Sequence, residues 1–197
     1  MVILETERLI LRPWAMEDAE ELFQLAKDEH VGPPCGWSPH KDVEESKYVL
    51  SNILINDYTF AIILKENNKI IGDIGIMPVG VCKYCKNETQ AEIGYWLGYE
   101  YWGNGYMPEA CAKIIEYGFK DLQLRELLCA HNTNNHNSEK VQKKTGFKYL
   151  YTDAFMSKKT GKEVCNIVNH ILADEWGPGY RHMSCIPGCR LTSGIQG

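Results

Sequence analysis

Residues 59–64 read TFAIIL and residues 69–77 read KIIGDIGIM, with the polar tetrad Lys65–Asn68 between them. Two β-branched runs around a short polar break predict a β-hairpin. TERLILRPW, residues 6–14, has the composition of a strand ending at Pro13. EDAEELFQLAKD (17–28) sets Ala19, Leu22, Phe23 and Ala26 on one helical face. KDVEESKYVLSNILIND (41–57) does the same with Val43, Leu50, Ile53 and Leu54. The Pro- and Gly-rich GPPCGWSPH (32–40) is a loop between these helices. Past the hairpin, VGVCKYCKNETQ (79–90) is a polar excursion and AEIGYWLG (91–98) a further strand. PEACAKIIEYGFKDL (108–122) is a helix with Ala110, Ile114 and Tyr117 on one stripe, and Pro108 suits its first turn. Glu109, also there, suits the helix dipole. RELLCAH (125–131) is a strand, and NSEKVQKKTGF (137–147) is a short helix ending at Gly146, a natural C′ residue. FKYLYTD (147–153) and EVCNIVNHIL (163–172) are strands.

The order is strand, two helices, a β-meander, helix, strand, helix and two strands, which predicts an α/β fold with a mixed sheet. After Trp176 the chain turns rich in Gly, Pro and Ser and loses periodicity. A folded domain over 1–176 and a flexible extension over 177–197 are expected. There are no internal repeats.

The chain has 197 residues, enough for one domain with a real core. Its net charge of -5 without a basic run argues against nucleic acid as a partner. No apolar segment approaches the roughly 20 residues of a membrane helix, and Glu5, Glu7 and Arg8 interrupt any signal-like N-terminus. A cytoplasmic protein, monomer or homodimer, is expected.

YWGNGYMPEA (101–110) carries candidate chemistry. Gly103 and Gly105 form GxG, but residue 108 is proline and no Gly-Lys-Ser/Thr follows, which disfavours a dinucleotide or Walker loop. A strand, a glycine loop and a helix N-terminus remain. They present backbone N–H groups suited to a pyrophosphate, or form a tight turn needing positive φ twice.

AEIGYWLGYEYWGNGYMPEA, residues 91–110, resembles the central motif of the GNAT acyltransferase superfamily. NHNSEKVQKKTGF (135–147) resembles the Asn-x-x-Ser…Lys-x-Gly-Phe segment of its Rim-type branch, the ribosomal-protein N-terminal acetyltransferases. GWSPH (36–40) resembles that branch's substrate-side loop, and ETERLILRP (5–13) its first strand. The resemblance spans roughly residues 3–176 in order. It implies a mostly antiparallel sheet flanked by helices, with splayed central strands holding acetyl-CoA, and acetyl transfer to a primary amine. A protein or peptide N-terminus is favoured; a polyamine or aminoglycoside and a non-catalytic acyl-CoA-binding module are the alternatives. Two positions depart from the pattern. Glu100 stands where the motif has Gln or Arg, and is expected to face outward. Gln142 stands where many relatives carry a tyrosine that protonates the leaving thiolate.

Acyl transfer to an amine needs a proton acceptor, oxyanion donors and a group for the departing thiolate. By resemblance, Glu92 is the candidate base, acting through water, against a solvated strand carboxylate. Ser138 is the candidate thiol-side donor, against a helix cap. The backbone of Ile93, Gly94, Tyr95, Trp96 and Leu97 would pair with pantetheine, and Trp102, Gly103, Asn104, Gly105, Tyr106 and Met107 would hold the pyrophosphate. Asn135 would bind the pantetheine side or cap a helix. Lys140, Lys143 and Lys144 could reach the ribose phosphate or form a solvated face, with Lys144 the strongest candidate. Trp37 and His40 would line the amine site, although His40 also reads as an ordinary loop histidine. Tyr95 and Trp96 would shape the acyl pocket or fill core.

The chain has eight cysteines. Cys111 and Cys129 sit in apolar patterns as buried thiols, and disulfides are not expected in a cytosolic chain. Cys82 and Cys85 have metal-knuckle spacing, and Cys185 with Cys189 would complete four ligands. Free thiols on loops, with no metal, are expected for both pairs.

Overall fold

The computed structural model describes residues 2–156, 161 and 163–177; the extension and the Cys185/Cys189 pair lie outside them, apart from Gly177. Eight strands form one sheet in the order β1-β2-β3-β4-β5-β6-β8-β7. They are β1 (Leu4–Glu5), β2 (Leu9–Pro13), β3 (Thr59–Leu64), β4 (Lys69–Pro78), β5 (Gln90–Leu97), β6 (Glu126–Asn132), β7 (Lys148–Met156) and β8 (Glu163–Leu172). Every pairing is antiparallel except β5 with β6. Helices α1 (Ala19–Ala26) and α2 (Val43–Val49) cover one face, and α3 (Tyr106–Lys120) with α4 (His136–Lys144) the other.

The parallel pairing fixes the shape. It joins only Gln90 to Glu126, Ala91 to Leu127 and Glu92 to Leu128. Beyond Glu92, β5 stays paired with β4 up to Leu97, and β6 stays paired with β8 up to Asn132. The strands part, so alternate backbone groups of Ile93–Leu97 that would have paired with β6 face a gap.

Two apolar layers fill the molecule. Leu11, Phe60, Ile62, Ile74 and Ile93 pack with Ala110, Ile114 and Ile115 of α3. On the opposite face Leu22, Leu25 and Ala26 of α1 pack with Trp14, Leu50 and Ala61. Some expected faces are corrected. Leu25, not Phe23, is among the buried α1 residues, because Ala19, Leu22, Leu25 and Ala26 form the stripe that faces the sheet. The helix predicted over 41–57 becomes α2 followed by a π-helical turn, Leu50–Leu54. The extra residue per turn keeps Leu50 and Leu54 inward and turns Ile53 out, 57% exposed. On α3, Cys111, Ile115 and Gly118 are buried beside Ala110 and Ile114, while Tyr117 is half-buried.

Candidate active site

The gap between β5 and β6 opens into a cleft of about 240 Å³. One wall is Tyr95, Trp96 and Leu97 of β5. The glycine loop and the first turn of α3 form the end, with Trp102, Gly103, Gly105, Tyr106 and Met107. The other wall is α4 and its cap, with Asn135, Ser138 and Lys144 among the lining residues. Eleven of the fourteen residues expected around acetyl-CoA therefore share one cleft. Ile93 lies in the core under α3, and Gly94 and Asn104 are not among the lining residues.

The glycine loop has the conformation its sequence allows. Gly103 and Gly105 adopt φ of +81° and +79°, where a side chain is strained. No side chain caps the N-terminus of α3, so its first N–H groups are available to an anion. Arg8, just before β2, pins the loop: Nη1 donates to the Asn104 carbonyl at 3.1 Å, and the guanidinium lies over the Tyr106 ring at 4.6 Å. Glu109 fixes Arg8 in turn. Its carboxylate accepts from Thr6 Oγ1 at 2.6 Å, Arg8 N at 2.9 Å and Arg8 Nε at 2.7 Å. Against the desolvation of that site, these donors hold the Glu109 carboxyl below its ordinary value. Glu100 is exposed and is not among the residues lining the cleft.

On α4, Asn135 is the cap: its Oδ1 accepts from Ser138 N at 3.0 Å. The helix starts at His136, so Ser138 lies within the first turn rather than capping it. Ser138 is 9% exposed. Its hydroxyl meets the Tyr95 hydroxyl at 2.9 Å and accepts from Gln142 Nε2 at 3.2 Å. Lys140 and Lys144 line the cleft, whereas Lys143 is drawn to Glu139.

Glu92 is not a lining residue of this cleft. It occupies the last parallel pair before the strands part, opposite Leu128 on one side and Met77 on the other. Burial pushes its carboxyl up; the backbone N–H groups of Lys83 and Tyr84 and the Lys83 charge oppose this. The Lys83 N–H donates to Oε2 at 3.2 Å. Trp37 and His40 stand behind the cleft wall. Trp37 meets Trp96 edge-on at 5.8 Å, and His40 Nδ1 bonds to Ser46 Oγ at 2.8 Å. Burial lowers the His40 pKa.

Two groups near the site escaped the motif reading. Asp73 on β4 pairs with Trp96 and is buried. Trp14 Nε1 donates to its Oδ1 at 2.7 Å, yet burial pushes the carboxyl up to about 7. A carboxylate inside the apolar run IIGDIGIM was the available signal. Cys35 lines the cleft from the loop before α2. Its thiol is pushed up to about 11 by desolvation and by Asp73, so it stays protonated at neutral pH.

The cysteine expectation is corrected at one pair. Cys82 and Cys85 are joined by a disulfide, because the turn brings their Cα atoms to 5.9 Å, within bonding range. Cys111 and Cys129 are buried free thiols. Among the described residues no group of three or more His, Cys, Asp or Glu is placed to hold a metal, and no helix is long and apolar enough to cross a membrane.

Comparison with known proteins agrees with this architecture. The family profile described as an acetyltransferase (GNAT) domain matches residues 8–148. An uncharacterized N-acetyltransferase, p20, from Bacillus licheniformis is 34% identical over 154 residues, covering 75% of this chain and 83% of its own. A GNAT-family acetyltransferase structure from Bacillus anthracis superposes with a TM-score of 0.75 at 24% identity, covering 88% of this chain and all, 100%, of its own. A ribosomal-protein-S5-alanine acetyltransferase from Vibrio fischeri superposes at 0.69 and 23% identity, covering 90% of this chain and 100% of its own. The match runs from Arg8, which pins the glycine loop, to the start of β7, and so takes in the splayed strands and every wall of the cleft: the chain belongs to the GNAT acetyltransferases and is an acetyl-CoA-dependent N-acetyltransferase.

Proposed function

We propose that this enzyme acetylates the amino terminus of a protein or peptide, with acetyl-CoA lying in the cleft between β5 and α4. The observation that carries the placement is the parting of β5 from β6 immediately after Glu92. It frees a strand edge for the pantetheine amides and leads to the glycine loop and α3, whose N–H groups suit the pyrophosphate. Lys144, with Lys140, reaches toward the ribose phosphate, and Asn135 holds the loop that presents Ser138. The Vibrio fischeri neighbour, whose name states a ribosomal-protein alanine acceptor, favours a protein N-terminus over a small amine.

The acceptor nitrogen must be neutral to attack the thioester carbon. Glu92, raised by burial, takes its proton through water; a carboxylate held above its ordinary range is a better base near neutral pH. The oxyanion is met by free N–H groups of the splayed strand. When the C–S bond breaks, its electron pair stays on sulfur beside the Ser138 hydroxyl. Trp37 and Trp96 shape the approach of the acceptor, with His40 bracing Trp37.

The test is release of CoA from acetyl-CoA, quantified by chromatography, with N-terminal peptides, polyamines or aminoglycosides as acceptor. Release with peptides is expected; release with small amines alone overturns the acceptor assignment. Glu92→Gln is expected to lower kcat about 100-fold with the acetyl-CoA Kd within about threefold. An unchanged kcat removes Glu92 from the chemistry.

A further inference from the structure

The position that holds a thiolate-protonating tyrosine in many relatives is Gln142 in this chain, but a tyrosine hydroxyl reaches the same place from another element. Tyr95 comes from β5, and its hydroxyl lies 2.9 Å from Ser138 Oγ across the cleft. Gln142, one turn along α4, donates to the same Oγ from Nε2 at 3.2 Å. The Gln142 amide cannot be turned round at will. Its Oε1 accepts from Asn169 Nδ2 at 2.6 Å and lies 3.0 Å from His131 Nδ1. Burial lowers the His131 pKa, which favours the neutral ring, and its Nδ1–H tautomer donates to Oε1. Reversing the amide would require Asn169 to reverse with it and His131 to change tautomer.

A serine oxygen has two lone pairs and one proton. Gln142 fills one lone pair. Tyr95 is held far above its ordinary value by burial, so it keeps its proton; its hydroxyl lies 2.9 Å from Oγ and 3.3 Å from the Ser138 carbonyl, and as a phenol it is the stronger donor of the two hydroxyls, which directs its proton to the second lone pair of Oγ. With Tyr95 and Gln142 both donating to Oγ, the Ser138 proton points away from both donors. Ser138 and Tyr95 both line the cleft, where a bound thioester would offer that proton an acceptor.

We propose that Tyr95 and Gln142 are positioning residues that turn the Ser138 hydroxyl proton onto the thioester sulfur, with His131 and Asn169 fixing the Gln142 amide. This rests on the reading of Ser138 as the thiol-side group. In the transfer, the acceptor nitrogen bonds to the carbonyl carbon and loses its proton through water to Glu92. The C–S bond breaks and its electron pair remains on sulfur. Ser138 donates a hydrogen bond to that pair and keeps its own proton, because a serine alkoxide is far less stable than a thiolate. The thiolate takes its proton from solvent after departure.

A hydroxyl aimed at sulfur favours bound CoA as the thiolate, and this is measurable without any acceptor. A cysteine thiol titrates at about 8.5, and the alkyl thiol of CoA, without flanking backbone groups, is less acidic. Each pKa unit by which the site lowers it makes CoA bind roughly tenfold tighter at high pH than at low pH. The experiment is calorimetric titration of CoA and of desulfo-CoA, which lacks the thiol, between pH 6.5 and 9.5. The Kd ratio of the two cancels other titrating groups around the site: Glu92, His131, the buried thiols Cys111 and Cys129, and the ligand phosphates. Wild type is expected to show a preference for CoA that grows with pH. Tyr95→Phe and Ser138→Ala should each reduce that growth, read as the Kd ratio of CoA to desulfo-CoA so that any general loss of affinity cancels. Adding Tyr95→Phe to Ser138→Ala should reduce it no further, because Tyr95 acts through Ser138. If Ser138→Ala abolishes the growth and Tyr95→Phe does not, the positioning role falls and Ser138 stands. If the growth is absent from wild type or survives Ser138→Ala, the role of Ser138 falls and the positioning role with it. Additive losses in the double variant also overturn the proposal.

Discussion

The carboxyl group of Asp73 has lost nearly all of its water and gains one hydrogen bond, from Trp14 Nε1 at 2.7 Å. That bond favours the ionised form, but desolvation outweighs it and the pKa rises from 3.8 to about 7. A carboxyl raised in the folded state holds its proton where the unfolded chain has released it. The contribution of Asp73 to stability should therefore be most favourable below about pH 4, fall between about pH 4 and pH 7, and level off above, while a carboxyl held low, such as Glu109, contributes the opposite slope. The loss is at most on the order of 4 kcal/mol. Asp73→Asn keeps an acceptor for Trp14 and removes the charge, so it should flatten the decline and be the more stable protein at pH 8. Urea unfolding of both proteins at pH 5 and pH 8 checks this; equal declines would mean that Asp73 ionises freely. At this scale the sequence marked Asp73 only as an acid among apolar neighbours. Its partner, Trp14, is 59 positions away, and separation of that kind leaves no local signal. Motif spacing singled out Glu92 and Ser138 as candidates; the Tyr95–Ser138–Gln142 contact had no such signal, since Tyr95 is 43 residues from Ser138.

Among the elements, α3 shows how much a single side chain can organise. Pro108 and the two glycines announce where that helix begins, and the local rules suffice for it. The dipole explains why Glu109 is tolerated in the first turn, but its larger role is to receive Thr6 and Arg8 from the chain around β2. Glu109→Gln should destabilise the protein by about 1–3 kcal/mol, since a buried donor set loses its charged acceptor. It should also raise the KM for acetyl-CoA several-fold while kcat changes less, because Arg8 then releases the Asn104 carbonyl. Denaturant unfolding with acetyl-CoA saturation kinetics tests both; a lost kcat at unchanged KM would mean that the loop is not what Arg8 holds. The π-helical turn after α2 is the opposite case. Nothing in KYVLSNIL distinguishes it from an ordinary helix, and it follows from how Leu50 and Leu54 fit the layer beneath them.

Across the whole molecule, the sheet is two pieces joined by three parallel residue pairs, with α3 lying across the seam. The helix approaches the seam closely at Gly118. A Cβ there would lie 2.9 Å from Ile76 Cδ1 on β4 and 3.2 Å from Leu127 on β6. Gly118→Val should therefore push α3 off both pieces at once, costing about 1–3 kcal/mol by overpacking. It should also weaken acetyl-CoA binding, because the cleft shares that seam. Thermal unfolding and calorimetry would show both effects; a destabilised variant with unchanged affinity would separate the seam from the cleft.

The sequence by itself determined which segments are strands and helices, where the glycine loop turns and which family motifs it carries. Periodicity, turn residues and motif spacing are local properties, and a chain carries them before it folds. Only the tertiary structure decided that β5 leaves β6 after Glu92, that Asp73 loses its water, that Cys82 meets Cys85 and that a tyrosine from β5 faces the serine of α4. Those outcomes depend on register, burial and the approach of distant side chains, and packing alone sets them.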